Sequence, residues 1–453
     1  MNATPLNPAT WFHGREEGRA WSLGGAQGLL AKAAIAGYLA GFSVLPNEWL
    51  HLGWLACAGC FAFGWSERSS MLQRRPMDAG TWLITAFLLW MTLRSCLGDT
   101  VRQGHAVTEV MRGLCGTALL ALFCAVLWPL ARDRRLLRHM AWINACAAGA
   151  AAFISLSLCT FILPEHQPGE RLQNLLVHGG LNPVCTGLIF GFAALWLAAE
   201  VENTPSVSRR RVMWGFVAFL HLAAFLSGSR GAMLALTAGH VALFAARGWR
   251  RGIAALAVFV LSGAIYFSSA PVFSHIASWH AEKGAAPVPT VVHPLQQAIE
   301  RGDSRRIDIY HAGWTAIDDV WSGTGQWGIR EVWQCELQPG ADSAIMCHLH
   351  SAFFATFVHG GIIGALLLLA LLVLAFRRAW RVSAEGDAVW LALLAFGCGG
   401  LLFDGESLTS LATAPRFEGL LFWLPLTVAL ARGGLNSRSA GSGNQLLHRT
   451  RSN

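Results

Sequence analysis

Three clusters of side chains in this chain are of types that do chemistry. The first is Arg230, in the turn Ser227-Gly228-Ser229-Arg230-Gly231 between two apolar runs. The second is Arg301, Arg305 and Arg306, in the stretch RGDSRRIDIYHAGW. Guanidinium groups bind phosphate in bidentate fashion, so several converging on one point make a diphosphate clamp. The third is His348 and His350, in CHLHSAFF immediately before an apolar stretch. Imidazole changes charge near neutral pH and suits proton transfer. Each cluster also has a plainer reading. An arginine at a membrane border snorkels. The second cluster can be a solvated helix face paired with Asp303 and Asp308. His-x-His can be half a metal site, but Asp318, Asp319, Glu331 and Glu336 offer no recognised spacing for a third ligand.

Other motifs carry less. GTGQWG, 323–328, matches Gly-x-Gly-x-x-Gly, but it follows a helical stretch rather than a strand, which excludes a dinucleotide fingerprint. The chain has no Gly-x-Ser-x-Gly, no His-Glu-x-x-His and no Walker lysine. His221 and His240 lie inside apolar runs and read as packing residues.

The elements that must position these groups are membrane helices. The 453 residues are 54% hydrophobic and 13% charged, against about 25% charged in soluble domains. The net charge of +8 does not indicate nucleic acid, because the basic residues come in short clusters between apolar runs. Spans need about 20 mostly apolar residues. Twelve segments qualify: 24–44, 48–65, 79–98, 108–131, 138–163, 177–200, 212–229, 231–248, 252–273, 350–376, 387–405 and 416–433. The polar N-terminus lacks a signal peptide's basic n-region, so the first segment is expected to remain as a span. With both termini inside, every inner loop is arginine-rich, as in Arg132, Arg134, Arg135 and Arg138, whereas the short outer loops hold few arginines. The expected fold is an all-α polytopic membrane protein with a single transmembrane domain, 1–433. A long outer segment, 274–349, separates spans nine and ten, and a disordered inner tail, 434–453, follows. Within the outer segment, Ile307, Tyr310, Trp314 and Ile317 recur at helical spacing, predicting an amphipathic helix whose apolar face they form. Most of the eleven cysteines lie in apolar segments. Cys335 and Cys347 lie in the outer polar stretch, either bridged by a disulfide or free.

Taken in order, Ser-Gly-Ser-Arg-Gly opening a span, Arg-Arg-Ile-Asp-Ile-Tyr, Trp-Ser-Gly-Thr-Gly, His-Ser-Ala-Phe-Phe and a Gly-Gly-Ile-Ile-Gly span resemble the bacterial O-antigen ligase family. That family is related to O-antigen polymerases and protein O-oligosaccharyltransferases. The likeness is densest over 225–365. It implies a GT-C-like glycosyltransferase of lipopolysaccharide biosynthesis in the bacterial inner membrane, with a periplasmic active site. The donor would be undecaprenyl-diphosphate-linked O-antigen and the acceptor lipid A–core oligosaccharide, with inversion and without metal or cofactor. By resemblance Arg230 is the turn arginine, Arg306 the arginine four residues before the helix aromatic Tyr310, and His350 the base before span ten. The family often has Asn where this chain has Ser351. Arg171 with Asn182-Pro183 and Asp404 match weaker family features, and Arg305, Tyr310 and His348 are expected beside them at the substrate site. Membrane lipid is the surrounding partner. A polymerase or protein oligosaccharyltransferase would use the same donor chemistry. From another class, an anion transporter could use the arginines, but its site would lie near mid-membrane rather than at the outer border.

Overall fold

The computed structural model describes residues 26–66, 78–97, 107–162, 170–177, 182–282, 306–325, 349–405, 407–409 and 417–434. Among the described residues all regular structure is helical, with no strand. The helices are α1 (Ala26–Val44), α2 (Glu48–Ser66), α3 (Ala79–Leu97), α4 (Val107–Leu130), α5 (Arg134–Ser157), α6 (Pro183–Val201), α7 (Val207–Leu226), α8 (Arg230–Arg247), α9 (Trp249–Phe267), α10 (Ala270–Glu282), α11 (Arg306–Thr315), α12 (Ala352–Ala384) and α13 (Val389–Leu401). A last helix, α14 (Gly419–Gly434), opens on a π-helical turn. Arg301, Arg305, His348, Cys335, Cys347 and the tail from 435 onward lie outside the described residues.

Each of the twelve apolar segments carries a helix. By length and composition five are long and apolar enough to cross a membrane, or six if the bent pair α9–α10 counts as one span. The others fall short for visible reasons. α13 has only 13 residues, and α8 begins and ends on arginine. The exterior fits a membrane protein: Ile363, Leu366, Leu369, Val373 and Trp380 of α12 stand exposed along one helical stripe. Water would penalise such a stripe, whereas lipid tails solvate it.

The core is built on α6, α13 and α14. α6 is apolar all round and almost wholly buried, as a helix surrounded by protein must be. Small residues bring the backbones close. Gly239 of α8 lies against Ala392 of α13, and Gly399 of α13 against Ala235 of α8. This is the close approach that helices use in lipid, where burial of apolar surface gives no drive to associate.

Charges sort to the two ends of the bundle. At one end Lys32 pairs with Asp133 at 3.3 Å, Arg138 with Glu200 at 3.3 Å, Arg378 with Asp78 at 2.8 Å, and Arg432 with Asp387. At the other end lie Arg171, Arg230, Arg306, His350 and Asp404.

The structure adds three details to the expectations. After the ninth segment the chain bends by 46° and continues as α10 to Glu282, within the long segment expected to start near 274. The tenth is not a continuous helix, because Gly361 (φ +64°) breaks it. Finally, α11 forms where an amphipathic helix was expected, but the face it buries is Ile309, Ala312 and Gly313. Ile307 and Trp314 are 69% and 58% exposed. Glycine at 313 lets Leu349 and Phe354 press directly onto the helix backbone, so the contact face follows the smallest side chains rather than the largest.

Candidate active site

Four backbone segments meet at the end that carries Arg230. The first is 170–177, an irregular stretch held by four helices. Leu172 N donates to Leu226 O of α7, and Leu175 N to Ser155 Oγ of α5. Asn174 donates from Nδ2 to Ser43 O of α1 and from its backbone N to Thr186 Oγ1 of α6. This fixes Arg171, whose Nε donates to Ser227 O at 2.8 Å.

The second is the turn Ser227-Gly228-Ser229. Gly228 has φ +59°, and a Cβ there would meet the Arg171 side chain at 3.2 Å. Glycine therefore serves both the left-handed turn and the close passage of Arg171. Ser229 caps α8 by accepting from Ala232 N at 3.1 Å. Arg230 is thus the first residue of α8, with an exposed side chain. Its charge adds to the positive end of the helix dipole, and the two favour an anion at the same place.

The third is α11, whose first residue is Arg306. It places Tyr310, whose hydroxyl donates to His350 O at 3.4 Å and whose ring meets Phe354 edge-on at 5.2 Å. Burial pushes the Tyr310 phenol above its ordinary value. The Arg306 charge opposes the rise and the Asp404 charge adds to it. Arg306, Tyr310 and Asp404 therefore share one electrostatic environment.

The fourth is the entry to α12. His350 has φ +49°, the one non-glycine residue with positive φ among those described. Its Nδ1 lies 3.7 Å from Asp404 Oδ1, and the side chains are 24% and 4% exposed. Asp404 is itself held, accepting from Gly405 N at 2.8 Å through Oδ1 and from Ala352 N at 3.2 Å through its carbonyl. Ser351, at the position where the family often has Asn, caps α12 by accepting from Phe354 N at 3.3 Å.

The antiparallel packing of α8 on α13 links these segments. Ala235 lies at the level of Gly399. Five residues back from Ala235 and five on from Gly399, Arg230 comes to the level of Asp404. Arg171, Arg230, Arg306, Tyr310, His350 and Asp404 thus share one end of the molecule. Among the described residues no three His, Cys, Asp or Glu side chains gather at a point that could hold a metal ion.

A supporting strap escapes a reading of the sequence. The break at Gly361 frees backbone groups of α12, and residues 320–325 take them. Thr324 N and Gly325 N donate to Val358 O and His359 O at 2.9 and 3.0 Å, while Ile362 N and Ile363 N donate to Val320 O and Trp321 O. From α3, Arg94 donates through Nη2 to Gly323 O and Trp90 through Nε1 to Gly360 O. Any Cβ on Gly323 or Gly361 would collide with backbone. Trp-Ser-Gly-Thr-Gly and Gly-Gly-Ile-Ile-Gly are therefore two halves of one joint. The glycines were the visible signal, but nothing in the sequence says that the two stretches meet.

Residues 214–369 match the family model described as O-Antigen ligase. They include Arg230, Arg306, Tyr310, His350 and the strap. A curated O-antigen ligase from Pseudomonas aeruginosa is 26% identical over 413 residues, which cover 86% of this chain and 91% of the relative. Both comparisons return the family that the motifs resemble: the chain is similar to O-antigen ligases, by the family model over 214–369 and by the relative over most of its length.

Proposed function

We propose that the protein transfers a polysaccharide from undecaprenyl diphosphate to a sugar hydroxyl of lipid A–core. The reaction would take place at the periplasmic face of the inner membrane, completing lipopolysaccharide. The observation that carries this reading is the His350–Asp404 pair, seated in a strained turn at the level of Arg230. Left-handed backbone at a non-glycine residue costs on the order of 1–3 kcal/mol and persists where the surroundings enforce it, characteristically at reactive sites.

In this reading the reaction is one in-line displacement. The acceptor oxygen attacks the anomeric carbon, and the bond from that carbon to the diphosphate oxygen breaks. The configuration inverts because attack comes from the face opposite the leaving group. His350, with Nδ1 toward Asp404, takes the hydroxyl proton on Nε2. Asp404 orients the ring and stabilises the imidazolium that results, and a base so placed contributes about 10²–10⁴-fold. The departing diphosphate develops charge that Arg230 and Arg306 neutralise at the N-termini of α8 and α11, with Arg171 at the same end of the molecule. Tyr310, whose hydroxyl reaches His350 O, stands on the acceptor side. Arginine and helix dipole supply the neutralisation that a cation supplies elsewhere, so activity is expected to survive EDTA.

Purified protein with lipid-linked O-antigen and lipid A–core tests the proposal, with capped lipopolysaccharide read on a gel. Capped product that disappears with His350→Ala supports it. Lengthened lipid-linked chains without capping would instead make the protein a polymerase.

A further inference from the structure

The end of the bundle opposite His350 holds a cavity of about 70 Å³ that the transfer reaction does not use. It lies between the start of α5, the end of α6, the start of α13 and the end of α14. Arg134, Arg138, Glu200, Asp387, Trp390 and Arg432 line it. Two of its arginines are committed: Arg138 to Glu200 at 3.3 Å and Arg432 to Asp387. Arg134 has no hydrogen bond or ion pair among the described residues, although it carries a permanent charge.

Two polar atoms of buried side chains at the cavity also lack partners among the described residues. They are Trp390 Nε1 and Asp387 Oδ1, on residues only 1% and 8% exposed. A buried donor or acceptor left unmade is destabilising, so their shared position on one cavity wall calls for an occupant. The start of α13 adds to this. Its cap is Ala388, which offers no side-chain hydrogen bond to the first amides of the helix. The cavity thus presents three features suited to an anion, namely an uncommitted guanidinium, an indole N–H and an uncapped helix N-terminus. Next to them it presents one acceptor, Asp387 Oδ1, that needs a donor.

We infer that this cavity binds the headgroup of a phospholipid from the adjacent leaflet. The phosphodiester would be held by Arg134 and Trp390, and a hydrogen-bond donor of the headgroup would reach Asp387. Ethanolamine and glycerol headgroups carry such a donor beside the phosphate, whereas choline does not. A cavity at helix ends, beside the membrane surface and rich in arginine, is where lipid headgroups bind. The inference is independent of the transfer chemistry at the other end.

The test uses purified, delipidated full-length protein and its thermal unfolding midpoint with short-chain phosphatidylethanolamine, phosphatidylglycerol, phosphatidylcholine or inorganic phosphate. A ligand that binds only the folded state raises the midpoint by mass action. The ethanolamine and glycerol lipids are expected to raise it by a few degrees, and phosphatidylcholine and phosphate to leave it unchanged. Arg134→Gln and Trp390→Phe should each abolish the rise while leaving the transfer rate unchanged. The phenylalanine variant keeps the ring packing, and Arg134 is exposed, so both should fold. An equal rise with phosphatidylcholine, a rise with phosphate alone, no rise with any lipid, or a rise that persists in both variants would each overturn the inference.

Discussion

At the scale of single residues, the proposed reaction assigns the holding of charge and the movement of a proton to different groups. His350→Ala is expected to lower the single-turnover rate by about 10²–10⁴-fold while donor binding, measured separately, stays intact. The pH dependence has a definite sign. Only neutral imidazole accepts the acceptor's proton, so the rate falls as the solution is acidified. Asp404→Asn removes the carboxylate that stands 3.7 Å from Nδ1. It should lower the single-turnover rate and leave donor binding, measured separately, intact. A wild-type rate in this variant would remove Asp404 from the positioning of the base. Arg230→Ala and Arg306→Ala should abolish transfer in protein that still reaches the membrane. Lysine should restore little at either position, because it lacks the planar fork. Full transfer by both alanine variants at saturating donor would dispose of the clamp.

At the scale of elements, the broken α12 decides where His350 stands. The helical turns before Gly361 carry Ser351 and follow His350, and the 320–325 strap holds them at their far end. Exposed Asp319 starts this strap. Its carboxylate accepts from Ser322 Oγ and Trp321 N and is held below its ordinary range by these bonds. Arg94 ties the strap to α3 through Gly323 O. A hydrogen bond from a charged donor contributes about 1.5–3 kcal/mol. Arg94→Ala should therefore lower both the thermal midpoint and the transfer rate. Gly361→Ala should be more damaging, since the added methyl meets Trp321 backbone and the residue must keep φ +64°. The comparison is made on detergent-purified protein, where an Arg94→Ala variant with wild-type midpoint and rate would show that the strap does not position the base.

At the scale of the whole molecule, the two charged ends define a sidedness that can be measured. One end carries the pairs Lys32–Asp133, Arg138–Glu200 and Arg378–Asp78, and the other carries Arg230 and His350. Single cysteines introduced in a cysteine-free background at Arg135 and at Thr315, both exposed, should react with a membrane-impermeant thiol reagent from opposite sides. Thr315→Cys is expected to react in intact cells with a permeable outer membrane, and Arg135→Cys only after the inner membrane is opened. Labelling of both from the same side would break the alternation of spans.

The sequence by itself determined the class and the parts. Apolar runs with arginine-rich inner loops specified a helical membrane protein, because hydrocarbon admits only elements that satisfy their own backbone. The order of motifs carried the resemblance to O-antigen ligases, and residue type marked Arg230, the cluster Arg301, Arg305 and Arg306, and the pair His348 and His350 as candidates for chemistry. The tertiary structure alone decided how these parts combine. Asp404 becomes the partner of His350 only because α13 returns antiparallel along α8, a pairing set by small residues such as Gly239 and Gly399 that carry no chemistry. The face that α11 buries was misread because helical periodicity reports where large apolar groups lie, not which face a neighbour can approach. The joint between Trp-Ser-Gly-Thr-Gly and Gly361 was invisible because it is made of backbone hydrogen bonds between distant stretches. Such bonds use the groups that every residue shares, so they leave no trace in side-chain pattern beyond glycines whose reason appears only when the two backbones meet.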